Sequence, residues 1–391
     1  MNIAWFGHRD RGRGDGLITY SREVTRQLRA RGHRVTFFYH AAEDIPGDPD
    51  GVRLGSFRAC HHDLIPARGA REIISEKLAA DNVAVAHVSL SFSLLDLSLP
   101  ALCHRLGIPI VATLHVPYDR RPGLWASGTR VLYRFFARVL SRYDAAIVFS
   151  TEQRNLLSRY GLRADKVAVI PNGVDQETFS PCPSDYRTEI GAELLAVYCG
   201  RVDPEKRVRD LLDAWLALGL PPDHKVVVVG TGRDYDPLEK RYGSHEQIVF
   251  TGLITDRGRL LEILRAADIF ALPSMVEGLS LSMLEAMACG TAVIATDVGS
   301  DGEALGGAGL LVDPENLSTQ LPLALDTLVR FPRFRQKLAG LARQRVEQRY
   351  SLDGTIQRML ELYEAARHDM QYGRSGLMSH DHPIGKVNLA S

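Results

Sequence analysis

The stretch Ile269–Gly299, IFALPSMVEGLSLSMLEAMACGTAVIATDVG, decides the fold. A short apolar run, Ile269–Pro273, ends in a turn that holds Glu277 and Gly278. A helical pattern then begins near Leu279. A second apolar run, Ala292–Thr296, follows Gly290. Short continuous apolar runs joined by a helix read as buried parallel strands. Glu277 then lies just past the carboxyl end of a strand, where open α/β sheets bind ligands. Glu285 lies about two turns further on, too far for the two carboxyls to share a proton.

The same alternation extends in both directions. Leu195–Gly200, Lys225–Gly230, Ile248–Gly252 and Gly309–Val312 read as further strands of the second half. In the first half, Asn2–Phe6, Val35–Tyr39, Val83–His87, Pro109–Leu114 and Ala145–Phe149 do the same. Ile18–Arg31 is amphipathic and closes at Gly32, a helix stop. The segment Ile170–Ile190, rich in Pro, Asn, Gly and Asp, has no helical period and separates the halves. The expectation is an α/β chain of two doubly wound domains in tandem, with ranges 1–180 and 181–350. A last helix over 351–368 and a loose tail over 369–391 complete it.

Bulk properties agree with two domains. The chain has 391 residues, 45% of them apolar, too many for one ordinary core. Lys+Arg and Asp+Glu are equal at 47 each, so no overall charge points to nucleic acid. Residues 1–190 hold 25 of the basic and 20 of the acidic residues, which makes the front half mildly basic. The five cysteines are scattered and form no C-x-x-C pair, so neither a zinc site nor a disulfide frame is expected. The N-terminus lacks a signal pattern, and the expected location is cytoplasmic.

Candidate ligand groups gather at the predicted strand ends. Arg201 and Lys206 follow Leu195–Gly200, where an Arg suits a diphosphate by bidentate contact and a Lys as a point charge. Gly230 and Gly232 follow Lys225–Gly230 and allow close backbone approach. Gly278 does the same beside Glu277, and the helix N-terminus next to it favours an anionic group. Two carboxylates at this spacing suit the hydroxyls of two sugars, such as the hexose and ribose of a nucleotide sugar. A metal is not expected: the D-x-D Asp48-Pro49-Asp50 falls in a Pro/Gly-rich loop that reads as a turn.

These motifs, with PNGVDQETFSP (Pro171–Pro181), GTG (Gly230–Gly232), FTGLI (Phe250–Ile254) and SMVEGLSLSMLEAMACGTAVIATDVG (Ser274–Gly299), resemble the retaining glycosyltransferases of family 4 with the GT-B fold. The resemblance spans Asn2 to about His368. It implies two Rossmann-like domains facing across a cleft, with the C-terminal helix packing back towards the N-terminal domain. It implies that Glu277 holds the donor hexose and Glu285 the ribose, and that Arg201 and Lys206 neutralise the diphosphate. Gly278, Leu279, Ser280 and Leu281 form the donor-binding turn, with Ser280 where many members have Gly or Pro. No metal or other cofactor is implied. Reaction is expected with retention, by front-face attack, the leaving phosphate helping to take the acceptor's proton.

In the front half, Gly14 and Gly16 lie in a loop after the first strand; the resemblance brings this loop to the donor diphosphate. Asp15–Gly16 in place of Gly-Gly looks like the subset with Asn-Gly or Asp-Gly, many of which glycosylate lipids. His115, at the end of Pro109–Leu114, resembles the family's active-site histidine. His87 reads as structural. The acceptor side carries one clue: Arg130, Arg134, Arg138 and Arg142 recur every four residues beside an apolar set that includes Val131, Phe135 and Phe136. With Arg120, Arg121 and Trp125, the segment 120–142 suits an anionic membrane surface, as on the inner face of the plasma membrane. Packing of the apolar set against the sheet is the competing reading. The expected activity is hexosyl transfer from a nucleotide-diphosphate sugar to a lipid or glycan hydroxyl. The alternative is a nucleotide-sugar-binding subunit without turnover.

Overall fold

A computed structural model describes residues 1–7, 16–40, 51–59, 62–66, 68–90, 93–118 and 124–373. Gly14, Asp48–Asp50, Arg120 and Arg121 lie outside the described residues, as does the side chain of Trp125.

Strands β1 (Asn2–Phe6), β2 (Arg34–His40), β3 (Gly51–Leu54), β4 (Ser56–Ala59), β5 (His62–Pro66), β6 (Val85–Ser89), β7 (Ile110–Thr113), β8 (Ala145–Val148) and β9 (Val167–Val169) belong to the first half. Seven of them form a parallel sheet in the order β3-β2-β1-β6-β7-β8-β9, and β4 pairs antiparallel with β5. The second half carries β10 (Leu194–Cys199), β11 (His224–Val229), β12 (Ile248–Gly252), β13 (Ile269–Leu272), β14 (Ala292–Thr296) and β15 (Leu310–Val312). These form a parallel sheet in the order β12-β11-β10-β13-β14-β15.

In each sheet the chain winds outward from a central strand and then returns to its other side. The reversals fall between β1 and β6 and between β10 and β13. At such a switch point the loops part and leave a crevice at the strand carboxyl ends. Arg201 and Lys206 follow β10, and Glu277 follows β13, so the second crevice is lined by the residues that sequence places there.

The strands follow the apolar runs because both faces of each sheet are covered. On the first sheet Ile3, Trp5, Val35, Phe37 and Val85 pack into one core, while Ala4, Phe6, Phe38, Ala86 and Val88 pack into another. The first of these cores continues into the second half through the last helix, Leu352–Tyr372, with Met359, Leu362 and Tyr363 buried. Ser351 caps that helix by accepting the Gly354 N–H. The helix runs on to Tyr372, so residues 369–372, expected in the tail, are helical. Its Tyr363 hydroxyl meets His87 Nδ1 at 2.7 Å, which ties the chain's end to the first sheet. The helix therefore packs back on the N-terminal half. No helix among the described residues is long and apolar enough to cross a membrane.

Candidate active site

Glu277 sits in the turn between β13 and the helix Leu281–Ala288. Its Oε1 accepts from Lys206 Nζ at 2.6 Å, across 71 positions of sequence, and both side chains are largely buried. Two strand-end loops thus deliver a cation and a carboxylate to one point. Their backbones are also tied: Met275 N–H donates to the Glu205 carbonyl at 2.7 Å. Arg207, directly after Lys206, holds φ +54, a left-handed conformation costly for a side chain with a Cβ. That strain is stored where Lys206 is aimed.

Arg201 lies beside this pair but is engaged with acids. Its guanidinium pairs with Asp203 and lies 3.3 Å from Glu205 Oε1, and its side chain is 49% exposed. Arg233 reaches the same two carboxylates at 3.5 and 3.4 Å.

Gly230 and Gly232 are required by the protein's own packing. A Cβ at Gly230 would fall 1.9 Å from the Gly200 carbonyl oxygen, and one at Gly232 would fall 2.4 Å from that of Val202. Both glycines pack against the loop that carries Arg201. Gly16 opens the helix Gly16–Ala30, and a Cβ there would meet nothing within 4 Å.

The turn 277–281 crosses towards the first half. A Cβ on Gly278 would lie 3.5 Å from the His115 carbonyl oxygen, and Asn172 Nδ2 donates to the Leu279 carbonyl at 3.4 Å. His115 is half-buried after β7, with Nε2 at 2.9 Å from Ser89 Oγ and its ring edge-on to Tyr20 and Phe149. The structure therefore brings His115, Gly278, Glu277 and Lys206 together. Ser280 caps the following helix by accepting the Met283 N–H, and its own N–H donates to Asp301 Oδ1 at 2.8 Å. That N–H is therefore not free for a ligand.

His87 is structural. It is fully buried, stacks on Trp5 at 4.0 Å, and both ring nitrogens are hydrogen-bonded, to Thr113 and Tyr363. Burial, then the neighbouring His115, lowers its basicity.

Glu285 lies on the second turn of the helix and lines a narrow cavity of about 30 Å³ with Tyr20, Glu23, Phe179 and Arg257. Burial is the main cause that raises its carboxyl to about 7; Glu23 adds to it and Arg257 opposes it. Arg257 Nη1 lies 3.0 Å from Glu23 Oε1, joining the two halves at the cavity that Glu285 lines. Glu23 and Arg257 escaped the sequence reading because Glu23 lies inside the helix Gly16–Ala30 and Arg257 lies five residues past β12, so their pairing is not local in sequence. Asp301 escaped it too, though it opens the short helix Asp301–Leu305 that follows β14. Among the described residues one group with metal-ligand types, Glu193, Asp223 and His224, lies at the amino ends of β10 and β11, on the edge opposite this site.

Two doubly wound parallel sheets, each with a switch point, have the arrangement of the GT-B fold. Comparison with known proteins agrees. Residues 14–178 match the family described as Glycosyltransferase Family 4, and residues 193–330 match Glycosyl transferases group 1. A D-inositol 3-phosphate glycosyltransferase of Kineococcus radiotolerans is 30% identical over 92% of each chain. An alpha-maltose-1-phosphate synthase of Mycolicibacterium smegmatis is 30% identical over 66% of this chain and 73% of its own. The structure of Anabaena HepE in complex with UDP-glucose superposes with a TM-score of 0.73 at 17% identity, covering 93% of this chain and 99% of that one. The chain belongs to glycosyltransferase family 4 and has the GT-B fold.

Proposed function

We propose that the chain is a retaining, metal-independent hexosyltransferase that moves a hexose from a nucleotide-diphosphate sugar to a hydroxyl of a lipid or glycan. The observation that carries this reading is the Lys206–Glu277 pair at the switch point, 2.6 Å apart, in a turn whose Gly278 lies beside the His115 backbone carbonyl. In the free protein the two charges satisfy each other. On binding, the diphosphate takes Lys206 and the hexose hydroxyls take Glu277. Transfer breaks the bond between the sugar C1 and the phosphate oxygen, which keeps the electron pair. Lys206 and Arg201 stabilise that developing charge. The acceptor hydroxyl attacks the same face, and its proton passes to the departing phosphate oxygen. Lys206 and Arg201 supply the charge that a divalent ion would otherwise bring. UDP-glucose in the HepE complex supports a nucleotide-hexose donor.

The experiment is release of nucleoside diphosphate from a panel of nucleotide hexoses, with and without a chelator. Release unaffected by the chelator is expected. Saturable donor binding with no release would favour the non-catalytic alternative.

A lipid acceptor is favoured by the helix Leu124–Leu140. Of its apolar set, Phe136, Val139 and Leu140 pack into the core, as the competing reading expected. Val131 and Phe135 stay 71% and 47% exposed among the exposed Arg130, Arg134 and Arg138. Two exposed apolar groups in a cationic stripe suit an anionic lipid surface. We expect the protein to float with anionic but not neutral liposomes at low salt, and Phe135→Ser to abolish flotation. No flotation with either would remove the lipid reading and leave the glycan.

A further inference from the structure

The turn that follows β14 plays no part in the reading above, yet it is pressed against the Glu277 turn. A Cβ on Gly299 would fall 2.0 Å from the Glu277 carbonyl oxygen, and Gly299 holds φ +56, so only glycine fits there. Ser300 N–H donates to the Gly278 carbonyl at 2.7 Å. Two residues on, Asp301 has no exposed surface. Its Oδ1 accepts the Ser280 N–H at 2.8 Å. Its Oδ2 is buried and without a hydrogen-bond partner.

A buried carboxyl is a costly choice for simple packing, since an apolar side chain of similar volume would fill the space without desolvation. Charge makes it costlier. The nearby Lys206 is already committed to Glu277, so an ionised Asp301 would be a second carboxylate competing for one cation. Burial, then the Glu277 charge, pushes the Asp301 carboxyl well above the usual range, against the pull of the Ser280 N–H and Lys206.

We propose that Asp301 is a positioning residue of the donor site: a neutral acid that fixes the 277–280 turn through the Ser280 N–H and leaves Lys206 to Glu277 alone. The inference rests on the donor-site reading of Glu277. Asp301 touches neither sugar nor phosphate; it sets where Glu277 and Gly278 stand when the donor arrives, and its loss is felt in donor affinity. A misplacement of about 1 Å in such a turn is enough to weaken binding and turnover severalfold to a hundredfold.

The test measures nucleotide release against donor concentration for Asp301→Asn, Asp301→Val and Glu277→Ala, with thermal unfolding recorded for each. Asp301→Asn keeps an acceptor for Ser280 and a neutral charge, so its donor KM and kcat stay within about threefold of the parent. Asp301→Val fills the space without polar atoms. It leaves the buried Ser280 N–H without its acceptor, which opposes the stability gained by removing a buried carboxyl, and it raises donor KM by about tenfold with a smaller effect on kcat. A merely structural role would move Tm and leave KM alone. Asp301→Asn with a tenfold higher KM would overturn the neutral-acid assignment even if Asp301→Val does not fold. Asp301→Val with the parent's KM would overturn positioning. If Asp301→Val is unimpaired while Glu277→Ala is inactive, only this inference falls. If Glu277→Ala is itself unimpaired, the donor-site reading falls.

Discussion

Glu277→Ala and Lys206→Ala each lower kcat by about 10²-fold or more in nucleotide release, the loss expected for a group aimed at charge that develops in the transition state. The two act as one unit, since they are 2.6 Å apart in the free protein. The double variant is therefore no slower than about the worse of the singles. Each single substitution also leaves its partner's charge half-buried and unpaired, which costs on the order of 3 kcal/mol of stability. The double variant recovers part of that cost. This opposition separates the two contributions: stability returns in the double variant while activity does not. Single variants that fold and turn over near the parent's rate would place the chemistry elsewhere.

Glu285→Gln is expected to make the protein more stable and a worse donor binder. Burial raises the Glu285 carboxyl from 4.5 in the unfolded chain to about 7 in the folded one. Between those values the folded state holds the proton more often, so its stability falls as pH rises from about 4.5 to 7. Above pH 7 the full penalty applies, up to roughly 3 kcal/mol for the shift and less for a half-buried group. Glutamine carries no charge at any of these values. Its unfolding temperature should exceed the parent's at pH 8 and match it near pH 4.5. With the ribose role that the family resemblance implies for Glu285, the same substitution removes an ionised acceptor for sugar hydroxyls and is expected to raise donor KM by roughly tenfold or more. For the parent, donor affinity should weaken below pH 7 as Glu285 protonates. An unfolding temperature unchanged at pH 8, with donor KM unchanged, would show that Glu285 is neither strained nor a ligand.

The fold was legible where the sequence pattern is local. β1 and β14 begin and end where their apolar runs do, because both sheet faces are buried there, and the half-buried edge strand β12 does the same. The short β9, Val167–Val169, lies in an apolar run of four residues closed by Pro171 and escaped the reading, and the edge strand β3, Gly51–Leu54, carries Arg53 in its middle. Strand order is not local, so the switch points at β10 and β13 emerged only in three dimensions. The same holds within the site. Lys206, Glu277 and His115 were legible as strand-end residues, but their meeting spans 71 positions in one case and crosses the cleft in the other. Gly230 and Gly232 were legible as close-approach glycines, while the backbone they approach, Gly200 and Val202, was not. Asp301 reads in sequence as a turn residue like any other; only its burial and its bond to Ser280 single it out.

The most direct measurement of the central claim is a crystal structure with an intact nucleotide sugar bound. The account predicts Lys206 Nζ released from Glu277 and hydrogen-bonded to the diphosphate, with Glu277 accepting from the hexose hydroxyls beside His115. A diphosphate bound away from Lys206, with the Lys206–Glu277 pair still closed, would contradict it.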